Sequence, residues 1–319
     1  MIDLLTITLN PSLDLSADSG AVVPGPKLRL AEPVAEAGGG GINVARAAVI
    51  LGGHVRAVAA LGGLTGERVA GLLEDSGVAV AVFHLDGETR QSLVVTDRTS
   101  GAQYRFVMPG PQWTGEQPAE LLLRLTDDVR RMGPGALVVL SGSQPPGVPD
   151  SFPTDLVQTL PQARVIVDTS GPALTRLVQH PVAGGMPAVL RMDHKESEDL
   201  AGRLLPQARD SLDFAQELVA RGVAGVVVLA LGAEGSVLAT ATERLHCAPP
   251  RVPVVSKTGA GDSFMGGFTL ALARGDPWPE ALRLGTAAAA AAVMTPGSAL
   301  CRAEDVMRLR KACQLRADL

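Results

Sequence analysis

Cysteine is scarce in this sequence, basic residues are outnumbered by acidic ones, and no apolar run is long; each shortage removes a class of function. The three cysteines, Cys247, Cys301 and Cys313, are odd in number and form no CxxC pair. Reduced thiols of a cytoplasmic protein are expected, not a disulfide framework or a cysteine zinc site. With 28 Lys and Arg against 33 Asp and Glu the net charge is -5, and the cations are scattered. This argues against a broad basic face for nucleic acid, and any anionic ligand needs a focused pocket. The most apolar stretch, residues 286–294, is nearly all alanine and far shorter than the roughly 20 residues that cross a bilayer. The opening Met1-Ile2-Asp3 runs straight into a strand-like segment without the charged, apolar and small-residue blocks of a secretory leader. No membrane association is expected. Two nucleotide signatures are missing as well: there is no GxxxxGK[ST] loop, and the glycine clusters lack the GxGxxG spacing of a dinucleotide site.

Apolar side chains are abundant, at 46% hydrophobic against 19% charged residues, which suits one large folded unit over residues 1–319. Short β-branched runs at 4–9, 137–140, 164–167, 188–190 and 226–231 show no amphipathic alternation, the mark of strands buried on both faces. Helix-like segments at 43–51, 67–76, 119–132 and 211–221 lie between them. Buried strands alternating with helices predict crossover units, hence an α/β fold with a mainly parallel sheet covered on both sides. Two segments, 13–33 and 89–108, break the rhythm. Within the second, residues 91–96 and 103–108 alternate around the turn 98–101, which predicts half-exposed strands of a small projecting sheet, a lid or a pairing surface. The C-terminal part reads as helices over 262–274, 279–293 and 303–314, with the alanine run serving tight helix packing.

Two glycine clusters carry the chemistry. In Lys257-Thr-Gly-Ala-Gly-Asp262 small residues precede a periodic helix, so the free N–H groups of Gly259, Ala260 and Gly261 can converge on an anion, aided by the helix dipole. Asp262 in the first turn could cap the helix or face a ligand and accept a hydroxyl proton. The second cluster, Gly38-Gly39-Gly40-Gly41 before Ile42-Asn43, carries an entropic cost that makes sense where the backbone must approach something closely. Lys27, Arg90 and Arg105 lie in or beside the two projecting segments.

Taken together, these motifs resemble the ribokinase-like PfkB family of carbohydrate kinases from end to end. The resemblance rests on the Gly38 to Arg46 and Gly259 to Asp262 elements, on Thr8-Leu-Asn-Pro-Ser-Leu-Asp14, Gly62-Gly-Leu-Thr-Gly66 and Ser141-Gly-Ser-Gln-Pro-Pro-Gly147, and on Leu231-Gly-Ala-Glu-Gly235. Within the family the chain looks most like the minor-type bacterial 6-phosphofructokinases, through its Gly38 to Arg46 segment, Thr89-Arg-Gln and Gln103 to Gly110. Gly40 stands where many 1-phosphofructokinase and tagatose-6-phosphate kinase relatives carry lysine.

The resemblance implies a three-layer αβα sandwich with a projecting β-sheet lid, and phosphorylation of fructose 6-phosphate by ATP with Mg²⁺. Tagatose 6-phosphate and fructose 1-phosphate are the alternative acceptors, and a sugar-phosphate-binding regulator without activity is the alternative of another class. It further implies Asp262 as base over an anion hole at Gly259, Ala260 and Gly261. Asp14, Gly38, Gly39, Gly40, Gly41, Asn43 and Ser141 would hold the sugar, and Lys27, Arg90 and Arg105 its phosphate. Arg191, Asp193, Ala230, Gly232 and Gly235 would face the nucleotide, with Glu196 in the outer shell of Mg²⁺. Ser256, Thr258, Ala292, Thr295 and Gly297 would offer a site for K⁺. A homodimer paired through the lid strands is the family expectation. The main departure is Arg191-Met-Asp193-His-Lys-Glu196, in place of the family's Lys-Pro-Asn-x-x-Glu.

Overall fold

The computed structural model describes residues 4–317, so Met1-Ile2-Asp3 lies outside the described residues. Its strands are β1 Leu4–Thr8, β2 Ser12–Ser19, β3 Val34–Gly38, β4 Val55–Leu61, β5 Ala79–His84, β6 Arg90–Asp97 and β7 Gln103–Val107, followed by β8 Leu137–Ser141, β9 Arg164–Asp168, β10 Val189–Met192, β11 Val226–Ala230, β12 Ser236–Ala239, β13 Arg244–Ala248 and β14 Gln314–Ala317. Ten of them form one sheet in the order β14-β13-β12-β11-β10-β9-β8-β1-β4-β5, and β3-β2-β6-β7 form a second, smaller one. From β5 to β11 along that order every pairing is parallel, while β12 to β14 add an antiparallel edge.

The unbroken apolar strand runs follow from this layering. Successive residues of a strand point to opposite faces: Leu4 enters a core shared with Ile42, Phe264, Phe268 and Leu282, while Leu5 and Ile7 enter one shared with Leu121, Leu125, Phe152 and Leu212. Helices Gly40–Ile50, Ala260–Ala273 and Trp278–Ala292 cover the first face, and helices including Gln117–Met132, Phe152–Thr159 and Ala208–Ala220 cover the second. The result is a three-layer αβα sandwich. The alanine run plays its expected part. Gly267 lies so close to Leu284 and Ala288 that an added Cβ would sit 3.0 Å from the Leu284 carbonyl oxygen, and only small side chains let these helices approach that far.

Two boundaries differ from the sequence reading. The helix expected over 303–314 stops at Arg310, and Gln314–Ala317 instead pairs with β13. The unpaired N–H and C=O groups of a strand edge outweigh a weak local helix preference there. In the 13–33 segment, β2 ends at Ser19 and β3 begins at Val34, leaving residues 20–33 as a mostly exposed connection. Among the described residues no helix is long and apolar enough to cross a membrane.

Candidate active site

In open parallel sheets, ligands bind outside the carboxyl ends of the strands, and polar side chains gather there. Ser141 ends β8, Asp168 ends β9, and Arg191 stands in the adjacent β10. The Ser141 hydroxyl donates to Asp168 Oδ2 at 3.2 Å, and the Arg191 guanidinium donates to Asp168 Oδ1 at 3.2 Å. Helices Gly40–Ile50 and Ala260–Ala273 begin at the same edge. The glycine run explains how the first gets so close: a Cβ on Gly40 would lie 2.6 Å from the Gly142 nitrogen, and one on Gly41 would overlap the Ile7 carbonyl oxygen. The close approach demanded by these glycines is to the ends of β1 and β8.

Asp262 occupies the first turn of the helix Ala260–Ala273. The N-cap is Gly259, held at φ 74°, a left-handed setting that glycine adopts freely, and no side chain caps it. Asp262 does not cap the helix; its Oδ2 accepts a hydrogen bond of 2.9 Å from Asn43 Nδ2. Burial, the largest influence, holds its carboxyl up at about 6, with the Asn43 bond and Arg191 opposing and Asp168 and Asp14 adding to the rise. Beside it the Arg191 guanidinium lies over Gly261, where a Cβ would sit 3.0 Å from its NH2. Arg191 Nε is buried without a partner among the described residues. An orphaned cationic donor next to free helix N–H groups is a fitting place for an anion.

Across the cluster, Asp14 of β2 accepts a 2.6 Å hydrogen bond from the Ser12 hydroxyl and packs against Gly38. Burial raises its pKa, while Ser12 and then the Arg90 charge pull it down. Arg90 donates to the Asn10 carbonyl at 3.1 Å, and Arg105 on β7 donates to the Thr258 hydroxyl. Lys27 stands on the exposed 20–33 connection.

The residues expected on the nucleotide side border the same edge. Ala230 ends β11, and Gly232 opens a single 3₁₀ turn that closes at Gly235, packed against the Cys247 carbonyl. Asp193 is the N-cap of the helix His194–Ala201. Its carboxylate accepts from the Glu196 N–H at 2.8 Å, and Glu196 Oε2 accepts from the Asp193 N–H at 2.8 Å. This reciprocal capping box needs an acceptor at position 193 and a carboxylate at 196, which the asparagine-to-aspartate departure preserves. Of the residues expected around K⁺, the Ser256 hydroxyl donates to the Gly297 carbonyl at 2.7 Å and accepts from the Thr258 N–H at 3.2 Å, while Thr295 Oγ1 donates to the Ala292 carbonyl one turn back at 2.7 Å. Among the described residues no group of His, Cys, Asp and Glu could hold a metal by itself.

The pfkB family carbohydrate kinase pattern matches residues 7–305. The chain belongs to this family. The kinase is 39% identical over 311 residues to ATP-dependent 6-phosphofructokinase isozyme 2 of Escherichia coli K12, covering 97% of this chain and 98% of that one. Crystal structures of phosphofructokinase-2 from Escherichia coli in complex with fructose-6-phosphate and in complex with potassium superpose with TM-scores of 0.87 and 0.89 at 39% identity, each covering 98% of this chain and 99% of that chain.

Three members of the kinase's polar cluster escaped the sequence reading. Asp168 stands at the end of the run Arg164–Asp168, and an acid closing a buried parallel strand is a signal that could have found it. Glu36 and Arg46 form an ion pair at 2.9 Å. No local pattern announces it, because the partners belong to different sheets and helices.

Proposed function

We propose that this kinase transfers the γ-phosphoryl group of ATP to the C1 hydroxyl of fructose 6-phosphate, giving fructose 1,6-bisphosphate and ADP. The reading rests above all on Asp262: a half-buried carboxylate that is not spent on capping, set beside free helix N–H groups and an unpartnered guanidinium nitrogen. Asp262 accepts the proton of the attacking hydroxyl as the bond from O1 to phosphorus forms and the bond to the ADP oxygen breaks. The N–H groups of Gly259, Ala260 and Gly261, together with Arg191, offset charge on the transferring group. Asp14, Asn43, Ser141 and the Gly38 to Gly41 turn orient the sugar, and Arg90, Arg105 and Lys27 hold its phosphate. Glu196 would help hold Mg²⁺ from its outer shell, and the ion would supply positive charge at the phosphate oxygens when bound. The 39% identity to a named 6-phosphofructokinase supports fructose 6-phosphate over tagatose 6-phosphate and fructose 1-phosphate. ADP formation measured against these three acceptors tests it: fructose 6-phosphate is expected to give the highest kcat/KM, and a higher value on either rival overturns the acceptor.

Two further expectations accompany this reading. The carbonyls of the loops at Ser256, Thr258, Ala292, Thr295 and Gly297 serve K⁺, and equal rates in K⁺ and a bulky organic cation would reject that. The small sheet leaves Val34, Phe106, Val107 and Met108 exposed, a surface suited to a second copy of the chain in a cytoplasmic homodimer.

A further inference from the structure

A chain of side-chain contacts reaches Asp262 from outside the cluster. Arg46, on the helix Gly40–Ile50, donates through NH2 to Glu36 Oε1 at 2.9 Å and through NH1 to the Ala37 carbonyl at 3.0 Å. The same NH1 approaches Asn43 Oδ1 at 3.5 Å. Glu36 in turn accepts from the Ser298 hydroxyl, so β3 of the small sheet and the loop carrying Gly297 and Ser298 meet at one guanidinium.

The donor inventory gives this chain a direction. A guanidinium has only donors and a primary amide has one of each. Facing Arg46, Asn43 must present its oxygen, which leaves its Nδ2–H for Asp262. We propose that Arg46 is a positioning residue: it sets the amide of Asn43 so that an N–H group, not an oxygen, faces Asp262, and through Glu36 it links that setting to the small sheet. The inference rests on Asp262 being the base. A carboxylate that accepts this N–H is held ionised and aimed; one that faces an amide oxygen has to keep its proton to make a bond. The other charged groups acting on Asp262 are Asp168 at the end of β9, Arg191 in β10 and Asp14 on β2, and among the described residues the Asn43 amide bonds only to Asp262 and Arg46. An ionised Asp262, which only accepts, favours the same face of Asn43, and Arg46, bonded to the other end of the amide, biases it toward that arrangement.

The test is Arg46→Met, with Arg46→Lys and Glu36→Gln beside it. The Asp262 carboxylate is titrated in the free protein by infrared difference against Asp262→Asn, and the pH profile of kcat is measured with fructose 6-phosphate. Arg46→Met is expected to move the Asp262 titration and the acid limb of kcat to higher pH and to lower kcat at pH 7 by about tenfold, with KM for ATP little changed. Arg46→Lys, still a donor, restores the acid limb. Glu36→Gln shifts it in the same direction by less, and it carries the test should Arg46→Met not fold. An unmoved Asp262 titration in Arg46→Met, or in Glu36→Gln when Arg46→Met does not fold, overturns the inference, as does a limb that Arg46→Lys fails to restore. If the titration moves while wild-type protein turns over no sugar phosphate, the positioning role stands and the proposed activity falls.

Discussion

The two sheets of this kinase are built from opposite kinds of strand, and the two ends of its candidate site inherit the difference. Every residue of β1 and β8 is buried, whereas every residue of β7 is exposed. At the large sheet, Asp168, Arg191, Ser141, Asn43 and Asp262 are held by bonds within the chain, with Ser141 and Asp168 buried and the other three half-buried. At the small sheet, Lys27 lies in the open and Phe106 is 52% exposed. The end proposed for phosphoryl transfer is thus preorganised by bonds within the fold. The end proposed to grip the sugar phosphate lies on the open small sheet.

The largest effect should come from the buried side. If Asp262 is the base, Asp262→Asn loses roughly 10² to 10⁴-fold in kcat while affinity for fructose 6-phosphate, read by calorimetry, survives. The same substitution carries a stability signature. The Asp262 carboxyl is raised to about 6 from an ordinary 3.8, with burial the largest cause, so the folded state holds its proton more tightly than the unfolded chain does. That contribution is complete below the unfolded value near 4 and is lost as pH rises through about 6. At pH 8 wild-type protein bears the burden of a buried charge that the asparagine form lacks. Asp262→Asn should therefore melt higher at pH 8, by on the order of 1 kcal/mol, with the gain shrinking toward pH 4. Lower activity with an unchanged melting profile would separate the chemistry from the burial argument.

The exposed side is probed by Phe106→Glu on β7. If this face meets a second copy, a charge placed on it should weaken that pairing and raise KM for fructose 6-phosphate by about tenfold, with kcat less affected, because a buried unpaired charge is costly at an interface. Sedimentation measured alongside the kinetics checks the link. A protein whose assembly and KM both ignore the charge would show that the small sheet grips sugar phosphate unaided.

The same contrast governs what the sequence could tell. Buried parallel strands announce themselves as unbroken apolar runs, so β1, β8, β9, β10 and β11 and the helices between them were readable. The short strands β12 to β14 were not, since four residues such as Gln314–Ala317 become a strand only by pairing with β13. At the site, the glycine clusters and Asp262 were visible because they combine local geometry with a chemical group. Glu36 was silent, because its meaning lies in contacts with Arg46 across a turn between strand and helix and with Ser298, 262 residues away. Asp262 itself shows the limit of local reading: a pattern that fits a helix cap turns out to face Asn43, 219 residues away.

The smallest effect is expected where the sequence departs most visibly from its family. Asp193→Asn restores the family residue, yet the structure gives Asp193 a capping task that asparagine performs equally well. The Glu196 N–H would still find a side-chain oxygen, and Glu196 would still accept from the backbone of residue 193. Stability should stay within about 0.5 kcal/mol. What changes is charge: the Glu196 carboxyl is held above its usual range by burial, with Asp193 and Asp168 adding to the rise. Removing one negative neighbour therefore lowers the pKa of Glu196 and leaves it ionised over a wider range. Because the shift only widens the range over which Glu196 is ionised, kcat at pH 7 to 8 should remain within about twofold, measured at saturating Mg²⁺ and ATP. A tenfold change would mean that the charge of Asp193 reaches the nucleotide directly, and that the buried end of the site is less self-contained than its hydrogen bonds imply.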